Sequence, residues 1–423
     1  MAPTHGSHRI FYGYYLVAVT FVLMALFNGC GVFVFSLFVK PLEASLGWGR
    51  GQVMAGFTIF YAMVGIASPL VGRFVDRHGV RPVIPIGALL MSLGFLLVSR
   101  MSVLPLFYLG YAIVGTGAAA MGPVPCSAVM SNWFKRRRGT AIGLMSAGIG
   151  AGGMVMAPFI GFMLSQFDWR AAYLSMAILI TAISVPLVLW TIRTRPAEMG
   201  LYPDGDAAPD ASIEQSSLAA ERQGLTLKQA LSTPAFWLIG LAFFCSNFAN
   251  MGTIQSSAPF LEDIGYPTSM AASALGAIGL GSGSGKILFG WLCDRIRASL
   301  ACAIGIAMQL TAVLMLLATV RPDSPIIVIW AYAILLGLGV GAWLPTLSML
   351  ASTSFGLLFY GAVFGALNLC QSLGTAAGPL VAGTVHDVTG TYYWAFVTSA
   401  VLLAVSIPAI LLVKRPPRPF RKA

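Results

Sequence analysis

The sequence predicts an all-α membrane protein: twelve transmembrane helices in two six-helix bundles. Three observations carry that prediction. Of the 423 residues, 57% are hydrophobic and only 9% charged, whereas a soluble domain averages about a quarter charged. Apolar runs long enough to cross a bilayer recur from Tyr14 to Val413. Basic residues gather in alternate loops. Helices are the only spanning structure that fits, because barrel strands are far shorter and alternate in polarity.

The runs cover residues 14–39, 52–72, 82–99, 104–131, 140–166 and 172–192, then 235–258, 269–292, 299–320, 324–351, 358–385 and 392–413. The first is long, follows a short polar stretch and lacks a small-residue cleavage site, so it reads as a retained helix and not a signal peptide. Between the sixth and seventh, residues 194–230 are rich in Pro, Asp, Ser, Glu and Gln. That composition predicts a solvated linker with a surface helix at Leu225–Leu231. The chain therefore divides into a bundle over 1–193, a cytoplasmic linker over 194–230 and a bundle over 231–423.

Nineteen of the 25 basic residues lie in one set of loops and at the two ends, including Arg73, Arg77, Arg81, the run Lys135–Arg138, Arg193, Arg195, Arg295 and Arg297. Five lie in the opposite loops: Lys40, Arg50, Arg100, Arg170 and Arg321. This asymmetry places both termini in the cytoplasm, in the cell's plasma (inner) membrane. It also accounts for the net charge of +11 without nucleic acid as a partner; the partner implied is the lipid bilayer. Six scattered cysteines and four dispersed histidines have no metal or redox spacing, so neither metal nor cofactor is expected.

The remaining basic residue, Lys286, lies inside span eight. A charge at that depth is costly and marks a substrate or ion pathway. Asp294 marks the helix end eight residues on, about 12 Å along a helix. A lysine stem covers about half of that, so snorkelling to the edge is incomplete. No acidic residue falls at mid-membrane, which leaves a coupled proton to ride on the substrate or on Lys286 as it loses and regains its charge. Polar residues within the spans complete the candidate site. Asn28 lies on span one, Tyr108 and Tyr111 on span four, and Tyr332 on span ten. Asn247 and Asn250 share a face of span seven, as Asn368 and Gln371 do on span eleven. The competing reading of each is hydrogen bonding between helices. Glycines in spans five, eight and ten permit close helix approach. The Gly-Ser-Gly-Ser-Gly run at 281–285 lacks phosphate-loop spacing.

Gly72-Arg73-Phe74-Val75-Asp76-Arg77 after span two is matched by Gly290-Trp291-Leu292-Cys293-Asp294-Arg295 after span eight. Both read G-x-x-x-D-R at a helix end. Asp76, Arg77, Asp294 and Arg295 are thus gating candidates, the acids pairing across a helix seam to hold one conformation shut. Matching halves imply a transporter built by duplication, with its site near the midplane.

These loops, the twelve spans and the linker resemble the major facilitator superfamily across essentially the whole chain. Within it, Tyr12-Gly13-Tyr14-Tyr15, the stretch Asn132–Ala141 followed by Gly143, and Pro259–Gly265 resemble the monocarboxylate transporter and oxalate–formate antiporter group. The resemblance implies that Lys286 stands where these families use an arginine for the substrate carboxylate. It also marks departures. Span eleven has no second cation at Asn368–Gly374, which favours one carboxylate over two. Ser282 replaces an acidic residue, and only apolar residues near Phe33 replace a span-one lysine. Tyr111 stands where drug–proton exchangers carry arginine.

The expectation is a non-enzymatic, secondary-active carrier for small monocarboxylates of the lactate, pyruvate or formate kind. It works by alternating access as a proton symporter, and as a monomer. A carboxylate exchanger is the alternative in the same class. An anion channel or a non-transporting solute sensor is the alternative in another.

Overall fold

The computed structural model describes residues 11–206, 224–266, 268–321 and 324–414. The linker centre, with Asp210, Glu214, Glu221 and Arg222, lies outside the described residues, as do Arg9, Asp323 and the tail bases beyond Lys414.

Among the described residues, twelve helical segments run back and forth. Nine are single helices: span two Arg50–His78, three Val80–Arg100, five Arg138–Gln166, six Trp169–Thr191, seven Pro234–Asp263, eight Thr268–Cys293, nine Ala298–Ala318, eleven Tyr360–Thr389 and twelve Tyr393–Leu411. Span one is Tyr12–Asn28, a π-helical turn at Gly29–Phe33, then Phe35–Leu46. Span four breaks at Gly122, between Leu104–Met121 and Pro123–Trp133. Span ten breaks at the matching place, between Ile326–Gly341 and Trp343–Phe355. Gly-Pro at 122–123 interrupts the first ladder, since proline donates no backbone bond to the preceding turn.

Among the described residues, ten segments are long and apolar enough to cross a membrane. The other two, spans eight and eleven, reach 26 and 30 residues but are diluted by glycine, serine and amides. They are the two that carry Lys286 and the Asn368–Gln371 pair.

The linker's two described ends are tied down, where composition alone predicts solvated coil. The Asp204 carboxylate accepts the backbone N–H of Lys135 and Arg136 at 3.0 and 2.8 Å. Trp133 Nε1 donates to Arg193 O at 2.9 Å. At the far end Leu225 N donates to Phe355 O at 2.8 Å. The short helix there covers Leu227–Leu231 and starts two residues later than predicted, because Thr226 and Gln229 form a reciprocal capping box.

The ends of the bundle that carry Arg73–Arg81, Lys135–Arg138, Arg193 and Arg295–Arg297 form a basic face. Near it the first six spans meet the last six along two seams, span two with eleven and span five with eight. Glycine makes both. A Cβ added at Gly72 would lie 1.8 Å from Gly361 O, and one at Gly139 would lie 2.3 Å from Gly290 O. A little deeper, Gly65 abuts Leu369 and Ser372, and Gly143 abuts Lys286 O. Towards the opposite face the pattern ends: a Cβ added at Gly150, Gly161, Gly276, Gly279, Gly283 or Gly383 would meet nothing within 4 Å. The two bundles are zipped by glycine along the basic-face half.

Gly72→Ala should therefore prop the two–eleven seam apart. We expect overpacking of about 1–3 kcal/mol against this closed state, read as faster modification of a cysteine placed at Ala362 by a thiol reagent applied from the basic face.

Candidate substrate-binding site

Span eight can enter the centre of the bundle because its neighbours approach glycine to backbone. A Cβ at Gly143 would lie 2.5 Å from Lys286 O, and one at Gly341 would lie 2.6 Å from Lys286 N. Lys286 is thus wedged between spans five and ten at the inner limit of the zipped region. Its side chain is 2% exposed and is the only charged one in the buried set of described residues. The ammonium donates to Ser282 Oγ at 2.6 Å and leans on Ser282 O at 3.4 Å. Ser282 lies one turn further from the basic face, in keeping with the tilt of helical side chains towards the helix N-terminus. The lysine therefore reaches away from the nearer membrane edge, towards the level where Gly279 and Gly283 face open space. Among the described residues no carboxylate lies within ion-pair distance of it.

The other candidate residues fall into four groups. Asn250, Gln371 and Tyr332 are buried with side-chain oxygens that have no protein partner. Asn247 and Asn368 are buried with bonds of their own: Asn247 donates to Phe243 O at 2.9 Å, and Asn368 crosses the seam to Ser68 Oγ at 2.9 Å. Asn28 is buried on span one, just before the π-helical turn. Tyr111 is committed elsewhere. Its hydroxyl is 2.8 Å from that of Tyr173, inside an aromatic cluster of the first bundle with Phe35, Phe107 and Phe38. Tyr108 bonds Gln52 O at 3.1 Å.

The paired motifs do cross the seams, and each acid finds a helix terminus there. Asp76 accepts the N–H groups of Gly361 and Ala362, both at 2.8 Å, at the start of span eleven. Asp294 accepts those of Gly139 and Thr140 at 2.6 and 2.7 Å, and the Thr140 hydroxyl at 2.6 Å, at the start of span five. The first N–H groups of a helix lack internal partners and sit at its positive end, so a carboxylate satisfies both needs. The arginines are not the partners. Arg295 stacks over Trp291 at 3.8 Å, while Arg77 lines a basic-face cavity of about 360 Å³ with Asp76, Arg195 and Glu198.

Sequence reasoning missed four participants: Ser282, Ser68, Thr253 and Ser257. Ser282 was visible in principle, since its spacing of four from Lys286 puts both on one helix face. The others carry no signal separating them from ordinary serines and threonines in membrane helices.

Two helix bundles closed at one face by carboxylate-capped seams, around a buried cation with no counter-charge among the described residues, define a membrane transporter. The chain belongs to the Major Facilitator Superfamily, whose profile matches residues 21–379. It is 28% identical over 388 residues to monocarboxylate transporter 13 of Bos taurus, covering 90% of this chain and 86% of that one. It is 24% identical over 412 residues to the oxalate:formate antiporter of Oxalobacter formigenes, covering 97% and 93%. The crystal structure of the human organic anion transporter MFSD10 superposes with a TM-score of 0.73 at 16% identity, over 94% of this chain and 99% of that one. At that identity the likeness speaks to the fold alone.

Asp294→Asn keeps the shape of the cap and removes its charge. We expect a loss of about 1 kcal/mol in closure of the five–eight seam. In a variant retaining only Cys293, which is buried beside the cap, this should appear as several-fold faster thiol modification.

Proposed function

We propose that the protein is a secondary-active carrier of small monocarboxylates, in which Lys286 binds the carboxylate. The observation that carries this reading is the Lys286 ammonium: buried, turned away from the basic face, and partnered among the described residues by Ser282. In a low-dielectric site such a cation attracts an anion far more strongly than in water. A single buried cation suits a single carboxylate. The similarity to a monocarboxylate transporter over nine-tenths of the chain supports the same substrate class.

The basic face is the cytoplasmic one by the positive-inside rule, with both termini on that side of the plasma membrane. The conformation described is then open outwards and closed inwards. Transport proceeds by alternating access: the carboxylate neutralises Lys286, the outer halves close, and the Asp76 and Asp294 caps release. Proton symport is the preferred mode, the proton travelling on the substrate or on Lys286. Two six-span bundles, residues 1–193 and 231–423 with the linker 194–230 between them, contain the whole cycle, so the monomer is the working unit. Exchange of one carboxylate for another is the second reading, favoured by the similarity to an oxalate:formate antiporter.

Uptake of labelled L-lactate into liposomes holding the purified protein tests both. Symport predicts uptake that rises with an inward proton gradient and falls at least about tenfold in Lys286→Ala, given the cost of leaving a carboxylate unpaired at such a site. Uptake only after preloading with a carboxylate identifies the exchanger. Uptake that is gradient-driven but unchanged in Lys286→Ala overturns the assignment of this lysine.

A further inference from the structure

We propose that the cavity at the basic face is a binding site for a phosphate group, which holds the two bundles in the closed state described. The proposal concerns the seam and does not depend on which anion Lys286 takes.

The cavity encloses about 360 Å³, within the range of small-ligand sites. Its walls come from three parts of the chain. The end of span two supplies residues 75–79, and the start of the linker supplies Thr194, Arg195 and Glu198. The turn between spans ten and eleven supplies Leu357, Leu358 and Tyr360. The cavity therefore lies on the two–eleven seam, beside the cap that Asp76 makes on span eleven.

Its acids are spent and its bases are not. Asp76 accepts the N–H groups of Gly361 and Ala362, and Glu198 accepts those of Thr194 and Arg195 at 3.3 and 3.0 Å. The guanidiniums of Arg77 and Arg195 have no hydrogen-bond or ion-pair partner among the described residues. Arg195 stands near enough to Asp76 to feel its charge, but does not pair with it. Other arginines of the same face are engaged: Arg81 donates to Leu189 O, Arg138 to Phe134 O, and Arg136 pairs with Asp204 and Asp206. His78 adds an imidazole stacked on Phe74. The Thr194 hydroxyl accepts Val80 N–H at 3.2 Å and keeps its own proton to give.

The donors select the ligand. A phosphate dianion presents acceptor oxygens on several sides, and arginine meets them with paired N–H groups. A monocarboxylate offers two oxygens at one end and engages a single such fork. Two free guanidiniums and a hydroxyl lining one cavity suit the first. The lock follows from how the walls are divided. The basic wall belongs to the first bundle and its linker, and Leu357, Leu358 and Tyr360 belong to the second. Opening the seam withdraws the second wall and leaves a solvated ledge, where the same ion pairs are weaker. A ligand favours the state that binds it better, so phosphate opposes opening towards the basic face.

The test is saturable binding of radiolabelled inorganic phosphate to the full chain in phosphatidylcholine nanodiscs. The samples are the wild type, Arg195→Gln, Arg77→Gln/Arg195→Gln and Lys286→Ala. The expected result is one phosphate per chain, unchanged in Lys286→Ala and weakened at least about tenfold in the double variant, since charge-assisted bonds are lost. Arg195→Gln alters one exposed side chain, so its intermediate loss guards against misfolding of the double variant. In the variant retaining only Cys293, at the other seam, saturating phosphate should slow thiol modification several-fold. Nanodiscs made with phosphatidate separate two sources of the group. Displacement of the label there assigns the site to a lipid headgroup, and its persistence assigns the site to a soluble phosphate; either supports the proposal. Absence of saturable binding at millimolar phosphate overturns it, as does binding that survives both arginine substitutions. Binding lost in Lys286→Ala puts phosphate in the central site and overturns it too. Binding that leaves Cys293 modification unchanged overturns the lock.

Discussion

An ammonium held inside a membrane bundle with no counter-charge among the described residues is the constraint on which the rest of this structure depends. Isolated ions in a low-dielectric interior are costly, and most buried charges are paired. Lys286 has only the Ser282 hydroxyl and the edge of its carbonyl, which engage at most two of the three N–H donors of an ammonium. Such a group is stable enough to be built and poor enough in partners to want an anion. Its surroundings follow from its position. Span eight must reach the bundle centre to place it, so the helix is made of glycine and serine, and the backbones of Gly143 and Gly341 close in on both sides. The same composition makes span eight one of the two least apolar of the twelve. Apolarity is given up where the polar work is done.

The seams solve a different problem, that of holding firmly and still letting go. Each is closed by one carboxylate on one helix terminus, and its flanks are glycine against backbone. Deeper in the two–eleven seam Asn368 bonds Ser68 across it, so opening also breaks that bond. The carboxylate and the helix N–H groups it releases are both well solvated by water, so each cap contributes about 1 kcal/mol, not many. Two caps with their glycine contacts amount to a few kcal/mol. That is the scale on which differential binding moves a two-state equilibrium, about 5.5 kcal/mol taking it from 1:99 to 99:1. Stronger locks would leave a carrier stranded in one state.

How far the sequence disclosed this differs by level. All twelve runs emerge as helical segments, because a stretch of some twenty apolar residues has few alternatives in lipid. Boundaries are blurred where glycine interrupts. Span one, whose apolar run ends at residue 39, continues through a π-helical turn to Leu46, and spans four and ten hide breaks at Gly122 and Ala342. Hydropathy measures burial from water and carries no information on helix continuity. At the site, the depth of Lys286 was legible, but the direction of its side chain was not. That direction is set by Ser282 and by glycines contributed from two other helices. Tyr111 shows the limit most clearly. Its helix and its polarity mark it as a candidate, but only tertiary structure reveals that Tyr173, 62 residues away, already holds its hydroxyl.

The two bundles also differ in a way their shared motif conceals. Duplication predicts equivalent halves, and at the basic face they are equivalent: Asp76 and Asp294 make the same kind of cap. Away from that face they diverge. Among the described residues, the amide and phenol oxygens that are fully enclosed without a partner, on Asn250, Gln371 and Tyr332, belong to spans seven, ten and eleven, while Asn28 of span one is a buried amide of the first bundle. The unpartnered hydroxyls of the first bundle that lie near the interface, Ser127 and Ser131, sit beside Tyr360 at the closed end. Lys286, the buried cation among the described residues, is in the second bundle too, while Tyr111 and Tyr173 of the first satisfy each other. Such a division has a physical advantage. A ligand held by one rigid bundle keeps its hydrogen bonds while the other bundle rocks, so the barrier to transport need not include breaking the contacts that confer specificity.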